Sequence, residues 1–383
     1  MNEIKTPKQR VPIRSWAGRI DAKALKILAR LAQSHRLREP VAVMPDVHAA
    51  SNVCVGTVLA SDDVVFPTAI GEDLGCGMAS CCYAFEARSL SRRDLERVVE
   101  RILDRVPVGR RSHPHAQDVP EELLQGELST RALSHQREWL GRRHLGTLGG
   151  GNHFIELQAD APGRLWVTVH SGSRGIGAMI AAHHARAAIP ENPLPFLEIG
   201  SAPATAFLSD LKWALTFAAA NRLAMHSRVK ETLEALTGGL LQCVESFDIA
   251  HNTITLESFG AGKPLMIHRK GAMPAFNGSR GIIPGSMATA SYIVEGRGCA
   301  EAYASCSHGA GRKLSRSEAH ATISLAQLRR QMKDVVYPRD ERTERSLIEE
   351  APGAYKDIKT VLAEQEDLAT PLLRLEPLAV VKG

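Results

Sequence analysis

Apolar residues in this chain recur in two rhythms, short runs suited to strands and longer stripes at helical spacing, and the two are interleaved from end to end. Residues 21–37 put Ala24, Leu25, Leu28, Leu31 and Ala32 on one helical face, which predicts an amphipathic helix from Asp21 to Leu37. The run VAVMPDVH predicts a strand that closes on a loop carrying Pro45, Asp46 and His48. CVGTVLA and DVVFPTAIG predict two further short strands, the second leading straight into a glycine-rich turn at 71–77, and MASCCYAFEA predicts another. Leu90–Val106 carries the strongest helical stripe, through Leu95, Val98, Val99, Ile102, Leu103 and Val106, with Ser91 as N-cap and Pro107 as stop.

Residues 107–128 read as a long polar loop in which His113 and His115 are solvated. From 145 onward, glycine-rich turns alternate with short strands, and a long helix is expected over roughly 203–236. Within it Asn221, Arg222 and His226 are expected to be satisfied polar groups of the core. FDIAHNTITLE, PLMIHRKGAMPA and IIPGSMATASYIV renew the strand-and-turn style, and a charged helix is predicted over about 317–334. No repeat of fixed period interrupts this order.

Composition narrows the class without choosing a function. An apolar fraction of 44% and a charged fraction of 23% are ordinary for a globular protein of 383 residues. The net charge of +5 permits a polyanionic partner without requiring one. The seven cysteines, odd in number and mostly within apolar or glycine-rich runs, read as reduced thiols of a cytoplasmic protein. MNEIKTPKQR has no apolar stretch behind its charges and no run is long enough to span a bilayer, so secretion and membrane insertion are not expected.

The turn GEDLGCG holds Asp73 and Cys76 three residues apart, a hard oxygen and a soft sulfur that could face one point. It lacks the paired C-x-x-C spacing of a structural zinc site, so an open, catalytic metal site is the better reading. His153, His170, His251 and His308 each sit at the end of an apolar run close to glycine or asparagine. Loops at strand ends are where sites are assembled, and this set would suit Mn, Fe, Co or Zn. Arg174, Arg269, Lys270, Arg312 and Arg316 accompany the same loops, so a combined metal and phosphate site is expected. The pattern SGSRGIG is not the dinucleotide fingerprint, whose glycine order differs.

In order along the chain, GEDLGCGM, LGGGNHFIEL, VHSGSRGIG, HN, HRKGA, IIPGSM, SCSHGAGR with a following SR, AYKD and a terminal KG resemble the successive motifs of the RtcB family of RNA ligases. The resemblance runs from about residue 40 to the end and implies a single α+β domain, residues 1–383, with mixed sheets flanked by helices around a deep metal and nucleotide cleft. It implies two Mn²⁺ ions bridged by Cys76, one held also by His170 and His251, the other by Asp73 and His153. His308 would take GMP from GTP as a phosphoramidate, in a loop of small residues with no acid beside it.

The same resemblance implies that Asn152 and Asn252 lie near the nucleotide phosphates or metals, Glu156 and Ser291 near guanine, and Ser286 with Gly309, Ala310, Gly311 and Arg312 around the nucleotide. Lys382 would reach the base, Tyr355 would stack on it, and Arg174 and Arg316 would meet the RNA end. Partners are then an RNA with a 2′,3′-cyclic phosphate or 3′-phosphate, a 5′-hydroxyl end and an archease-type activator, the chain acting as a monomer. Ala50 and Asn52 stand where the family carries glycines, and Glu72 where a small or apolar residue is usual. Two other classes remain open: a metal-dependent RNA-end phosphoesterase that does not ligate, and an RNA-binding factor with little catalysis. The second would leave a costly buried cluster of metal-binding groups without purpose.

Overall fold

The computed structural model describes residues 1–125, 127–259 and 262–383. Strands β1 (Asn2–Ile4), β2 (Ile13–Ser15), β3 (Arg38–His48), β4 (Val55–Ser61), β5 (Val64–Val65) and β6 (Gly77–Glu86) form before residue 90. β7 (Phe154–Ala159), β8 (Arg164–Ser171), β9 (Leu197–Glu198), β10 (Cys243–Ala250), β11 (Asn252–Glu257) and β12 (Leu265–Lys270) come next. β13 (Ala272–Pro274), β14 (Arg280–Ile283), β15 (Ser291–Gly296), β16 (Ser305–Ser307) and β17 (Ala369–Lys382) complete the strands. The longer helices are α1 (Ala22–Leu31), α2 (Arg92–Arg105), α3 (Arg174–Ala187) and α4 (Ala202–Thr237).

One sheet runs β1-β2-β3-β4-β12-β11 and a second runs β10-β6-β8-β7-β17-β15-β14. The first is mixed, because β2 and β3 pair in parallel while its other ladders are antiparallel. On the outer face of the first sheet, Ala24, Leu28 and Leu31 of α1 bury against Val41, Val43 and Leu59. Leu95, Val98, Val99 and Ile102 of α2 pack with Met225, Val229 and Leu233 of α4 over Leu157, Val167 and Val169 of the second. Met44, Val58, Ala60 and Ile267 of the first sheet share a core with Met273, Ile283 and Val294. The fold class is therefore mixed α and β, several sheets with helices packed on them.

Several expected boundaries shift, each for a local reason. α1 begins as the pattern predicts, with the Asp21 side chain accepting from the Ala24 N–H, but it stops at Leu31. Ser34 Oγ then accepts from the Arg36 N–H, a side-chain turn that competes with helix and delivers the chain to β3. Pro45, Asp46 and His48 lie on β3, not on a loop after it; the ladder to β4 shifts register between Val43 and His48, which accommodates a residue with no N–H to donate. The run DVVFPTAIG supplies only the two strand residues of β5. α2 matches its pattern, with a full capping box between Ser91 and Asp94. The charged helix expected over 317–334 is two helices, Arg316–Thr322 and Leu325–Gln331, because Ser324 caps a second start with Gln327.

What the second sheet does for the site is visible in its register. Gly77 pairs with Ser171 and with Ala250, Phe154 with His170, and Lys382 with Phe154. The start of β6, the end of β8, the start of β7, the end of β10 and the end of β17 therefore share one edge of the sheet. Cys76, His170, His153, His251 and Lys382 come together there. α4 clamps the same edge from behind. Asn221 accepts from the Gly146 N–H at 2.7 Å and donates to the Thr147 carbonyl, while Arg222 donates to the carbonyls of Gly75 at 2.9 Å and Ser171 at 2.8 Å.

Arg222 is 1% exposed at the side chain and pairs with Asp248, which is 34% exposed. Removing one partner of a buried pair strands the other charge, at about 3–5 kcal/mol. Because Asp248 is partly hydrated, Asp248→Ala is expected to lower unfolding stability by about 3 kcal/mol, the lower end of that range, as a reduced urea midpoint at unchanged slope.

Candidate metal and nucleotide site

The turn at 71–77 works as its glycines suggest. The Cys76 N–H donates to the Asp73 carbonyl at 3.1 Å, and the Asp73 carbonyl also accepts from Asn252 Nδ2 at 3.1 Å, so both ligand side chains are held by backbone. Cys76 Sγ lies 3.2 Å from His170 Nε2 and 3.5 Å from His153 Nε2. His153 Nε2 is 2.9 Å from Asp73 Oδ2, and His170 Nε2 is 3.3 Å from His251 Nε2. Cys76, His170 and His251 form one possible metal-holding group and Asp73, Cys76 and His153 the other, with donor atoms in each group within 4.8 Å of one another. All five expected ligands are thus brought together, and Cys76 is common to both groups.

The donor set fits a pair of cations. His153 Nδ1 donates to the Leu148 carbonyl at 2.9 Å and His170 Nδ1 to the Asn152 carbonyl at 3.2 Å, which leaves each Nε2 as a bare lone pair aimed at the sulfur. Burial, reinforced by the neighbouring imidazoles, holds His170 and His251 well below the ordinary histidine range and so neutral. Burial and the nearby Asp73 charge push the Cys76 thiol up. The single S–H of the buried thiol can serve only one of the lone pairs that converge on it, and a divalent cation would relieve the remaining repulsion by replacing that proton.

His308 stands beside this cluster, its ring 4.6 Å from that of His251. An adjacent acid is present after all: Asp46 Oδ2 accepts from His308 Nδ1 at 2.7 Å and from the His308 N–H at 3.2 Å. The local sequence around His308 holds no acid, and the partner arrives from β3, 262 residues away. Its only signal was an aspartate inside an otherwise apolar run. Gly311 makes the approach possible: its φ is +72°, and a Cβ there would lie 2.2 Å from the Asp46 carbonyl oxygen. His48, whose Nδ1 donates to the same carbonyl at 3.0 Å, is kept neutral by burial, its pKa down to about 4.

A cavity of about 760 Å³ opens from His170 and His308, within the range of small-ligand sites. Asn152, Glu156, Ser286, Gly309, Ala310, Gly311, Arg312, Arg316, Tyr355 and Lys382 line it, as does Ala50. Lys382 Nζ sits 2.9 Å from Glu350 Oε2 and 5.4 Å from the Phe154 ring. Glu350, which sequence reasoning missed, also receives the Tyr355 hydroxyl and Arg312 Nη1, the latter at 3.0 Å. Burial alone would raise this carboxyl; Lys382, the Tyr355 hydroxyl and Arg312 outweigh it and hold it down at about 2.

Other expected residues are placed differently. Ser291 is buried at the start of β15, and it does not line the cavity. The Asn252 amide is spent on backbone, donating to Asp73 and accepting from the Gly271 N–H at 2.8 Å, so it braces the metal turn. Arg269 cannot meet a phosphate: it is fully buried, with its guanidinium on Glu257, Thr255, Ser305 Oγ and the Tyr303 carbonyl. Lys270 is buried too and donates to the Val53 carbonyl at 2.7 Å. A strand end reads the same in sequence whether its cations point to a cleft or to the core. Arg174 does reach the site. It adopts a φ of +61°, strained for a non-glycine residue, and lies 3.5 Å from His153 Nδ1 against Gly149.

Two groups of imidazole, carboxylate and shared thiol that could each hold a metal ion stand beside a cavity with Lys and Arg in its wall, the arrangement of a candidate metal and anion site. The chain belongs to the RtcB family: the model described as tRNA-splicing ligase RtcB matches residues 27–137 and 121–383. It is 32% identical to the RNA-splicing ligase RtcB of Escherichia coli K12 over the whole of both chains. It is 30% identical to the tRNA-splicing ligase RtcB of Thermococcus kodakarensis, over 89% of this chain and 87% of that one. The RNA-splicing ligase RtcB of Mycobacterium tuberculosis is 29% identical, over 89% and 96% respectively.

Two outcomes test the site. Titration with Mn²⁺ is expected to release about one proton from Cys76, read by calorimetry in two buffers of different ionisation enthalpy, and the release should vanish in Cys76→Ala. A heat independent of buffer in the parent protein would exclude thiolate ligation. For Glu156, burial outweighs the Gln158 amide and Lys382 and lifts its pKa to about 8. The folded state then binds a proton that the unfolded state lacks between about 4.5 and 8, so this contribution is whole below 4.5 and lost as pH rises through 8. Glu156→Gln is expected to flatten that part of the stability profile and to melt higher than the parent at pH 8.5.

Proposed function

We propose that this chain is a GTP- and Mn²⁺-dependent RNA ligase that joins a 2′,3′-cyclic phosphate or 3′-phosphate end to a 5′-hydroxyl end. Residues 1–383 act as one unit, since both sheets supply residues to the site: Asp46 comes from the first, His170 from the second. The observation that carries the reading is His308 tied at Nδ1 to Asp46 beside the two metal-holding groups. A phosphoesterase needs metals and arginines but has no use for a nucleophilic imidazole in that position.

Cys76 would bridge two Mn²⁺ ions, His170 and His251 holding one and Asp73 and His153 the other. When bound, the cations supply charge neutralisation of a triphosphate and polarisation of its α-phosphorus. Asp46 keeps the proton of His308 on Nδ1, so Nε2 carries the lone pair, and the same carboxylate stabilises the positive charge the ring gains on attack. The bond from Nε2 to the α-phosphorus of GTP forms as the bond to the pyrophosphate oxygen breaks. GMP then passes to an oxygen of the RNA 3′-phosphate, which water has released from any cyclic form. Attack of the 5′-hydroxyl on that phosphate expels GMP and seals the strand.

Gly309, Ala310 and Gly311 let the nucleotide approach His308 closely, and Asn152 and Ser286 border it. Glu156 and Lys382 hold the guanine end, with Tyr355 stacking on the base and Arg312 behind it. Asn252 and Ser291 act as supports of these groups, not as contacts. Arg174 and Arg316 take the RNA phosphates, so affinity should fall as salt rises. The reading extends to a monomer in the cytoplasm with an archease-type activator; no helix among the described residues is long and apolar enough to cross a membrane.

The test is incubation with α-labelled GTP and Mn²⁺, the parent beside His308→Ala and Asp46→Asn. An acid-labile label on the parent, lost in His308→Ala and slowed by about 10²-fold or more in Asp46→Asn, is expected. A folded, metal-loaded parent that stays unlabelled would remove the ligase reading and favour the phosphoesterase.

A further inference from the structure

Residues 107–144 carry none of the motifs that led to the site, yet they border it. The Gly109 N–H donates to the Gly149 carbonyl at 2.7 Å, and the His113 N–H donates to the Arg143 carbonyl at 3.0 Å. Gly149 is the glycine against which the Arg174 guanidinium lies. From the other side, a π-helical turn at Arg137–Gly141 packs Leu140 toward Gly175, the residue next to Arg174. This segment is therefore fastened on both sides of Arg174, the residue that lies against His153.

Its outward face combines an aromatic ring with cations. Trp139 is 56% exposed, and the Arg143 guanidinium carbon sits 5.2 Å from its ring centroid while Nη1 donates to the Trp139 carbonyl at 3.0 Å. Arg110 and Arg111 are exposed on the loop that runs from Gly109 to His113, and His115 is exposed just beyond them. From Arg105 to Gln117 there are three arginines and two histidines with no acid, and Glu138 is the sole acid among residues 131–144, where four arginines stand. A large exposed aromatic is an unfavourable surface for solvent alone, and arginine stacked on indole preorganises a flat, cationic face. The structural role is already filled by Leu140, which the π-turn directs inward while it turns Trp139 out.

We propose that Trp139 and Arg143, with Arg110 and Arg111, form a stacking platform for a single-stranded segment of the RNA substrate, a few nucleotides from the reacting end. The occupant follows from chemistry: single-stranded nucleic acid is held by aromatic rings that take bases of any sequence and by arginines that follow the phosphates. The bond from Gly109 to Gly149 places the arginine loop next to Arg174, which lies beside the metal-holding His153. This assignment rests on the ligase reading and adds to it a determinant of substrate length, since an RNA end too short to reach the platform loses its contacts.

The experiment measures binding of a fluorescein-labelled RNA oligonucleotide ending in a 3′-phosphate, with and without an abasic run placed upstream of the end, to the parent, Trp139→Ala and Trp139→Phe. Guanylylation by labelled GTP is measured on the same preparations and needs no RNA. The expected result is affinity about tenfold weaker in Trp139→Ala and largely restored in Trp139→Phe. The abasic run should weaken the parent by a similar factor and Trp139→Ala hardly at all, with guanylylation unchanged throughout. Equal affinity of parent and Trp139→Ala, or an abasic penalty of the same size in both, would overturn the platform. A parent that binds RNA in this pattern but takes no label from GTP would leave the platform standing and remove the ligase reading instead.

Discussion

Gathering four ligand groups around one buried thiol is the constraint to which the rest of this molecule answers. Asp73, Cys76, His153, His170 and His251 converge with little solvent, and two of the imidazoles have their Nδ1 protons committed to backbone carbonyls. Such a cluster is unfavourable unless something holds it and something neutralises it. Antiparallel register provides the first: β6, β7, β8 and β10 end together, so ligands far apart in sequence meet at one sheet edge. The long helix α4 then grips the turns between them through Asn221 and Arg222. Divalent cations are the natural answer to the second.

The two sheets divide the labour. The second supplies the metal-holding groups and, through β17, brings Lys382 to the same edge. The first supplies Asp46 on β3, which reaches across to His308. Gly311 is the joint between them, a left-handed glycine whose missing Cβ lets the backbone lie on β3. The orientation of the His308 ring thus depends on the seating of one sheet against the other, and a packing error far from the cavity would be felt as a misaligned imidazole. Glu350 plays the matching part at the far wall of the cavity, gathering Lys382, Tyr355 and Arg312 on one carboxylate.

Much of this was legible in the chain. Helix α2, α4 and most strands followed from periodicity, and the five candidate metal ligands and His308 stood out as chemistry-bearing side chains in glycine-rich turns or at the ends of apolar runs. Where reading failed, the cause was local competition or an undetermined direction. Ser34 and Ser324 used their hydroxyls to end one element or begin another. Arg269 and Lys270 were in the right strand but faced the core, where Glu257 and the Val53 carbonyl hold them.

Side-chain type and order are local properties, so the sequence by itself determined which groups could ligate, attack or bind phosphate, and which segments would be strand or helix. Distance between segments is not local. That Asp46 meets His308, that Glu350 gathers three cavity residues, that Asn252 braces the metal turn and that Trp139 faces outward beside Gly149 were decided only by tertiary structure. A strand's alternation states that one face is buried but not which neighbour lies across it, and that neighbour sets the tautomer, the charge and the reach of every group in the site.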